Sequence, residues 1–319
     1  MALKGLIYRP DRNVGFGHTI YAMSHYAAMA QALNVPFFST LHGPVYSLGI
    51  GEDGLQKSFF QSNPAFTGTA RLRYRSVQSR LRRAWLFREK ALLIGRDIFP
   101  NRATDEFAYL KRATKLEYKN ERDSVTPENL GQFDLVYVDN VLPDEQWSNW
   151  YGQVTSPLLF SEKFRNQVRQ TLGMNAKDQT YIAVHARHGN GEYLDGRISG
   201  DAASFDAFLQ AIANTAREKK AKLFASEIIC LSDNAETAQK LADYSGGRPV
   251  GGDRLPDQTF HKFVRSDPSL AAERVQKTMF DFATLAGAVH IVGGQSLFPR
   301  AASLMGQNTG LSLSRWNHD

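Results

Sequence analysis

One cysteine in 319 residues, Cys230, excludes an internal disulfide and any cysteine-based zinc cluster. No apolar run reaches the roughly 18–20 residues that a membrane-spanning helix needs. The apolar patch at the N-terminus is broken by Lys4 and closed by Arg9-Pro10, shorter than the core of a secretory signal. Charge of one sign is not in excess either. Thirty-eight basic against 32 acidic residues leave +6, which suits an anionic ligand but is no nucleic-acid signature. These absences describe a soluble chain of a reducing compartment, and a cytoplasmic location is expected. What is present is an ordinary globular composition, 42% hydrophobic and 22% charged, which excludes a mostly disordered chain.

The second half alternates strands and helices. Tyr181–Ala186, Ile228–Leu231, His290–Val292 and Leu311–Leu313 read as strands. Between them, Ala202–Arg217, a segment from Ala235, residues 271–288 and Ser296–Met305 carry helical spacing. Apolar strands alternating with helices predict a parallel sheet covered on both faces. The first half opens in the same way. Leu6–Tyr8 predicts a strand, Asn13–Gly17 a tight loop, Thr19–Leu33 a helix, Val35–Phe38 a strand, and Phe133–Val138 another. Residues 40–130 are less regular. Ser161 is placed to cap a helix running to Leu172, so a boundary is expected near residue 160, giving domains 1–160 and 161–319.

The densest polar cluster is His185-Ala186-Arg187-His188-Gly189-Asn190-Gly191-Glu192, followed by Asp195, Arg197 and Asp201. It begins where an apolar strand ends, and open α/β sheets bind ligands outside the carboxyl ends of their strands. Period two puts His185 and Arg187 on one side and His188 on the other. Arginine offers a planar fork to phosphate oxygens, and a loop carboxylate can take a proton from an attacking hydroxyl. The plainer alternative is a surface turn with scattered charges.

Three further features bear on ligands. In Gly293-Gly294-Gln295-Ser296, glycines free the backbone N–H groups and Ser296 can cap the following helix, a natural phosphate site or simply a capped helix. Gly15-Phe16-Gly17-His18 opens the first helix, but Ile20 stands where a dinucleotide fingerprint wants glycine, so no nicotinamide or flavin cofactor is expected. Metal is not expected, because no two aspartates stand two apart as in metal-dependent sugar-nucleotide enzymes. Trp147, Trp150 and Tyr151 suit either a sugar face or packing at a domain junction. Between Arg71 and Arg96 nine basic residues meet one acidic, with Val77, Leu81 and Trp85 at helical spacing. That segment reads as a solvated helix face, or as a weak contact with an anionic membrane surface.

The block His185–Glu192 is similar to the signature of the rhizobial nodulation α-1,6-fucosyltransferases, relatives of the eukaryotic core α-1,6-fucosyltransferases and the protein O-fucosyltransferases. Two more blocks resemble that family in the same order. One runs from Val14-Gly15-Phe16-Gly17 through Ala28 and Ala30 to Pro36-Phe37-Phe38, the other from Asp281-Phe282-Ala283-Thr284-Leu285-Ala286 to Ser296-Leu297-Phe298. Residues 40–175 carry no such block. The core enzymes have a second arginine where this chain has His188, as the nodulation enzymes do.

The resemblance implies a GT-B-like fold, two Rossmann-like α/β domains facing each other across a cleft, with an acceptor-side N-terminal domain and a nucleotide-sugar-binding C-terminal one. It implies inverting, metal-independent transfer of fucose from GDP-fucose, with no other cofactor, to a glycan such as a chitin-type oligosaccharide. Arg187 then binds the β-phosphate and stabilises departing GDP, and His185 and Asp281 contact guanine. Ser296, with Gly294 and Gln295, contacts phosphate, and Gly15, Gly17, His18 and His188 stand as further donor contacts. Glu192 is the expected base, with Asp195 the alternative. From its helix alone, Asp281 falls off the apolar stripe and reads as solvated. Two other readings stand beside this one. The first is a non-catalytic GDP-sugar or glycan binder on the same fold. The second is a histidine phosphatase using Arg187-His188-Gly189, a class that needs a second histidine after a later strand.

Overall fold

In the computed structural model of the chain, residues 3–10, 15–39, 59–66, 68–72, 74–95, 115–120, 125–139, 141–143, 147–174, 179–187, 202–250, 268–306 and 309–314 are described. The chain divides into two compact units, one chiefly Met1–Tyr46 and Gln61–Leu159, the other Leu55–Phe60 and Phe160–Asp319.

The first unit contains a six-stranded parallel sheet. Its strands are β1 (Leu6–Arg9), β2 (Phe37–Ser39), β4 (Ala70–Arg71), β5 (Lys90–Gly95), β6 (Lys115–Asn120) and β7 (Leu135–Asp139), in the order β4-β2-β1-β7-β5-β6. A separate two-stranded sheet pairs β3 (Phe60–Ser62) with β8 (Leu158–Phe160). Helix α1 (Phe16–Ala32) is buried almost all round, as its run of alanines, methionines and Ile20 dictates. It begins earlier than Thr19, so Gly17 and His18 lie in its first turn rather than in a loop. Helix α2 (Tyr74–Leu86) buries Val77, Leu81 and Ala84, while Trp85 is only half-buried.

The second unit holds a five-stranded parallel sheet, every strand expected from the sequence except the two-residue edge strand. Its members are β9 (Tyr181–Ala186), β10 (Glu227–Ser232), β11 (Arg248–Pro249), β12 (His290–Gly294) and β13 (Gly310–Ser314), ordered β11-β10-β9-β12-β13. The order is that of a Rossmann half. The chain builds outward from β9 in one direction, then crosses to β12 and builds in the other, leaving a topological switch point between β9 and β12. Alternation along β9 divides the two covering layers. Ile182, Val184 and Ala186 pack on helix α6 (Ala202–Leu223) with Phe208, Leu209 and Ile212. Tyr181 and His185 face helices α8 (Pro268–Ala286) and α9 (Leu297–Met305) instead: the Tyr181 hydroxyl donates to the Thr284 carbonyl, and His185 meets Phe298.

Caps locate the other helices as the sequence requires. The Ser161 hydroxyl accepts from the Phe164 N–H at the head of α5 (Glu162–Thr171), and Asn234 does the same for the Thr237 N–H on α7 (Ala235–Ser245). Two short helices, α3 (Pro127–Leu130) and α4 (Ser148–Tyr151), complete the described set.

Candidate functional site

The switch point of the second unit gathers five of the residues that the sequence singled out, His185, Arg187, Gly294, Gln295 and Ser296. His185, the penultimate residue of β9, pairs in register with Gly293 on β12 and Leu231 on β10. A Cβ on Gly293 would stand 2.8 Å from the His185 carbonyl oxygen, so only glycine lets the two strands approach here. Past β9 the chain emerges at Arg187, which is exposed. Past Gly294, the last residue of β12, it turns through Gln295 and Ser296 into α9.

His185 is itself buried, its ring tilted against that of Phe298 with centroids 5.2 Å apart. Phe298 in turn meets Phe282 of α8 edge-on at 4.8 Å. Burial drives the imidazole pKa down to about 4; the Asp233 carboxylate opposes that shift and the Arg187 guanidinium adds to it. His185 is therefore neutral at pH 7, and its Nδ1 has no hydrogen-bond partner among the described residues.

Ser296 occupies the N-cap position of α9 with extended backbone, yet its side chain makes no cap hydrogen bond. The expectation of a capping serine is corrected here. Pro299 stands at the third helical position and has no N–H to offer. The Ser296 hydroxyl is left buried without a partner, at a helix N-terminus whose amides suit an anion. Asp281, on α8 next to Phe282, is half-buried rather than solvated. Desolvation raises its carboxyl to about 7, with Lys277 pulling the other way from one helical turn earlier. Lys277 is itself engaged with Glu273 at 3.2 Å.

Sequence reasoning passed over Asp233. It follows β10 directly, beside the end of β9, and its charge is felt at His185. The available signal was positional: a carboxylate just beyond a strand adjoining the switch point. His188, Glu192 and Asp195 lie outside the described residues. So does Gly189, leaving the phosphatase triplet with Arg187 alone. His290, the histidine belonging to the later strand, opens β12 at the opposite edge, where its Nε2 lies 2.8 Å from the Ser312 hydroxyl.

The first unit has its own switch point, between β1 and β7. There Arg9 and Asp139 end neighbouring strands in register and pair at 3.7 Å, a contact the sequence did not announce. The turn containing Gly15 enters α1 on that side of β1, with Gly15 at the N-cap and exposed, and Gly17 buried. His18 is half-buried in the first turn.

Trp150 and Tyr151 serve packing within this unit. Trp150 donates its indole N–H to the Val125 carbonyl, and the Tyr151 hydroxyl lies 2.8 Å from His25 Nδ1. Trp147 is buried.

A cavity of about 300 Å³ between Tyr181, Gly287 and the α5 residues Glu162, Arg165 and Arg169 lies at the amino edge of β9. That is one strand length, about 13 Å, from His185. Among the described residues no three His, Cys, Asp or Glu side chains gather so as to hold a metal ion. No helix there is long and apolar enough to cross a membrane.

No protein-family model matches the chain, and no curated protein matches it in sequence. Solved structures do match. POFUT1 in complex with GDP-fucose aligns over 99% of this chain and 99% of its own, with a TM-score of 0.51 at 11% identity. A second crystal form of the same complex aligns over 98% of each chain, with a TM-score of 0.50 at 11% identity. Fucosyltransferase NodZ from Bradyrhizobium aligns over 96% of this chain and 93% of its own, with a TM-score of 0.46 at 14% identity. The likeness is one of fold: α/β, GT-B-like, with two Rossmann-like units.

Proposed function

We propose that this protein is a glycosyltransferase that moves fucose from GDP-fucose to a glycan hydroxyl. The observation that carries the reading is the switch point between β9 and β12. Two buried polar atoms there, His185 Nδ1 and the Ser296 hydroxyl, have no partner among the described residues. They stand by a glycine turn at a helix N-terminus, and Arg187 follows His185 by two residues where the chain leaves β9. Most buried polar groups in native proteins are hydrogen-bonded, so two left open beside a helix N-terminus call for a partner.

In this reading His185, neutral because buried, bonds to the nucleobase with Asp281, whose raised pKa makes it a donor as readily as an acceptor. The Ser296 hydroxyl and the α9 amides receive a phosphate. Arg187 meets the β-phosphate. The acceptor oxygen attacks the fucose anomeric carbon from the face opposite the diphosphate. As the carbon–oxygen bond to the β-phosphate breaks, the growing negative charge passes to Arg187 and the amides rather than to a divalent ion. The acceptor proton goes to a loop carboxylate, Glu192 or Asp195, and the products are an inverted glycoside and GDP.

Calorimetric titration with GDP, GDP-fucose, GDP-mannose and UDP-sugars tests the donor. Release of GDP on adding chitin-type oligosaccharides to the GDP-fucose complex tests the transfer. Binding confined to uridine nucleotides overturns the assignment, and binding of GDP-fucose without turnover on any glycan supports a non-catalytic binder instead.

A further inference from the structure

Helix α2 shows two unlike sides. Inward, Val77, Leu81 and Ala84 are buried, and Arg80 turns in with them to pair with Glu89 at 2.6 Å, both side chains less than a tenth exposed. Outward stand Arg75, Ser79, Arg82 and Arg83, all exposed and spaced along one helical face. Arg71 is exposed just ahead of the helix. The outer side runs out at Leu86 and Phe87, which are 59% and 69% exposed, and the Arg83 guanidinium lies 5.7 Å from the centre of the Phe87 ring. No acidic residue occurs from Arg71 to Arg88, and the first to follow, Glu89, is the buried partner of Arg80.

We propose that this face of α2, with its Leu86-Phe87 end, is a docking surface for an anionic lipid bilayer. Exposed arginines alone would suit any polyanion. What selects a bilayer is the apolar step beside them. A leucine and a phenylalanine enter the boundary between headgroups and acyl chains while neighbouring guanidiniums lie among lipid phosphates. The other exposed Leu-Phe pair of the described residues, Leu223-Phe224, follows a stretch that includes Glu218 and has no such unbroken basic face. Position in the fold is compatible with catalysis. Helix α2 runs into β5 at Lys90, so its Leu86 end lies at the amino edge of the sheet. The switch point between β1 and β7 opens at the carboxyl edge, away from the bilayer. The proposal does not depend on the fucosyltransferase reading.

Flotation with vesicles tests it. At low salt the protein is expected to float with mixed phosphatidylcholine–phosphatidylglycerol vesicles and not with phosphatidylcholine alone. Arg82→Glu/Arg83→Glu and Phe87→Ser are each expected to lower the bound fraction about tenfold. Melting temperatures within about 3 °C of the parent show that the folded protein is being compared. Should the charge reversal unfold the chain, Arg82→Gln/Arg83→Gln keeps good helix formers and gives the same loss in smaller measure. Absence of flotation with the mixed vesicles overturns the proposal. So does Phe87→Ser floating like the parent, which would mark the arginines as a site for a nucleic acid or an acidic protein.

Discussion

The ring of His185 lies 5.2 Å from that of Phe298, tilted by 32°, so the end of β9 and the first turn of α9 are packed through a pair of rings. That contact removes His185 from water and sets its protonation state. It also places the Ser296 hydroxyl, two residues before Phe298, on the same edge of the sheet.

His185 has a folded pKa of about 4 against 6.5, and Asp281 one of about 7 against 3.8. Between pH 4 and 6.5 the folded chain keeps its proton on Asp281, whereas the unfolded chain keeps its proton on His185. The histidine alone makes stability rise with pH in that window and the aspartate alone makes it fall, so the two slopes cancel. Asp281→Asn removes the falling slope. Relative to the parent, its unfolding free energy should then climb with pH by up to about 1.4 kcal/mol per pH unit. Urea titrations across the window measure this; a difference that stays flat shows that Asp281 is not so held.

Arg187→Ala is expected to separate activity from stability. The side chain is exposed, so unfolding free energy should stay within about 0.5 kcal/mol. GDP release in the presence of donor and acceptor should fall at least about 100-fold, the usual loss for a group that meets charge developing in the transition state. Near-parental turnover would remove Arg187 from the mechanism.

A methyl group on Gly293 is expected to be costly, because the atom it meets is backbone. At 2.8 Å from the His185 carbonyl it forces β9 and β12 apart at the switch point. Gly293→Ala should destabilise by about 1–3 kcal/mol in chemical denaturation and weaken GDP binding with it.

Ser296 and Asn234 make a matched pair. Both precede helices with extended backbone, but only Asn234 caps, at 3.0 Å from the Thr237 N–H. Asn234→Ala should cost about 1 kcal/mol of stability. Ser296→Ala should change it by less than about 0.5 kcal/mol, since no hydrogen bond is lost, while GDP affinity drops about tenfold. Calorimetry and thermal melting read the two effects separately. A Ser296→Ala protein with full GDP affinity would take this hydroxyl out of the donor site.

The second unit was the more legible in sequence because its central strands are apolar on both sides. Tyr181-Ile182-Ala183-Val184-His185-Ala186 has no competing pattern, and its observed bounds are those expected. The first unit hid three strands of its large sheet: β4, only two residues long, and β5 and β6. Strand β6, Lys115-Leu116-Glu117-Tyr118-Lys119-Asn120, lies at the sheet edge and carries the charges that edge strands use against aggregation, so it reads as polar coil. Strand β5 offers only Ala91-Leu92-Leu93-Ile94, directly after an arginine-rich helix that masks where one element ends. Helix lengths slipped for a related reason. Polar last turns such as Lys219–Lys222 of α6 give no periodic apolar signal, although the backbone continues its helix.

What the sequence determined by itself was the chemistry on offer: a basic strand end, a glycine turn ahead of a helix, a single cysteine, and alternating apolar segments that can only close as a parallel sheet. What tertiary structure decided was the state of those groups. Burial against Phe298 makes His185 neutral, Pro299 and the local backbone leave Ser296 uncapped, and desolvation on α8 keeps Asp281 ready to hold a proton. Strand order alone brings residues 185 and 293 side by side. Desolvation and register arise between segments about a hundred residues apart in the chain, where no local pattern records them.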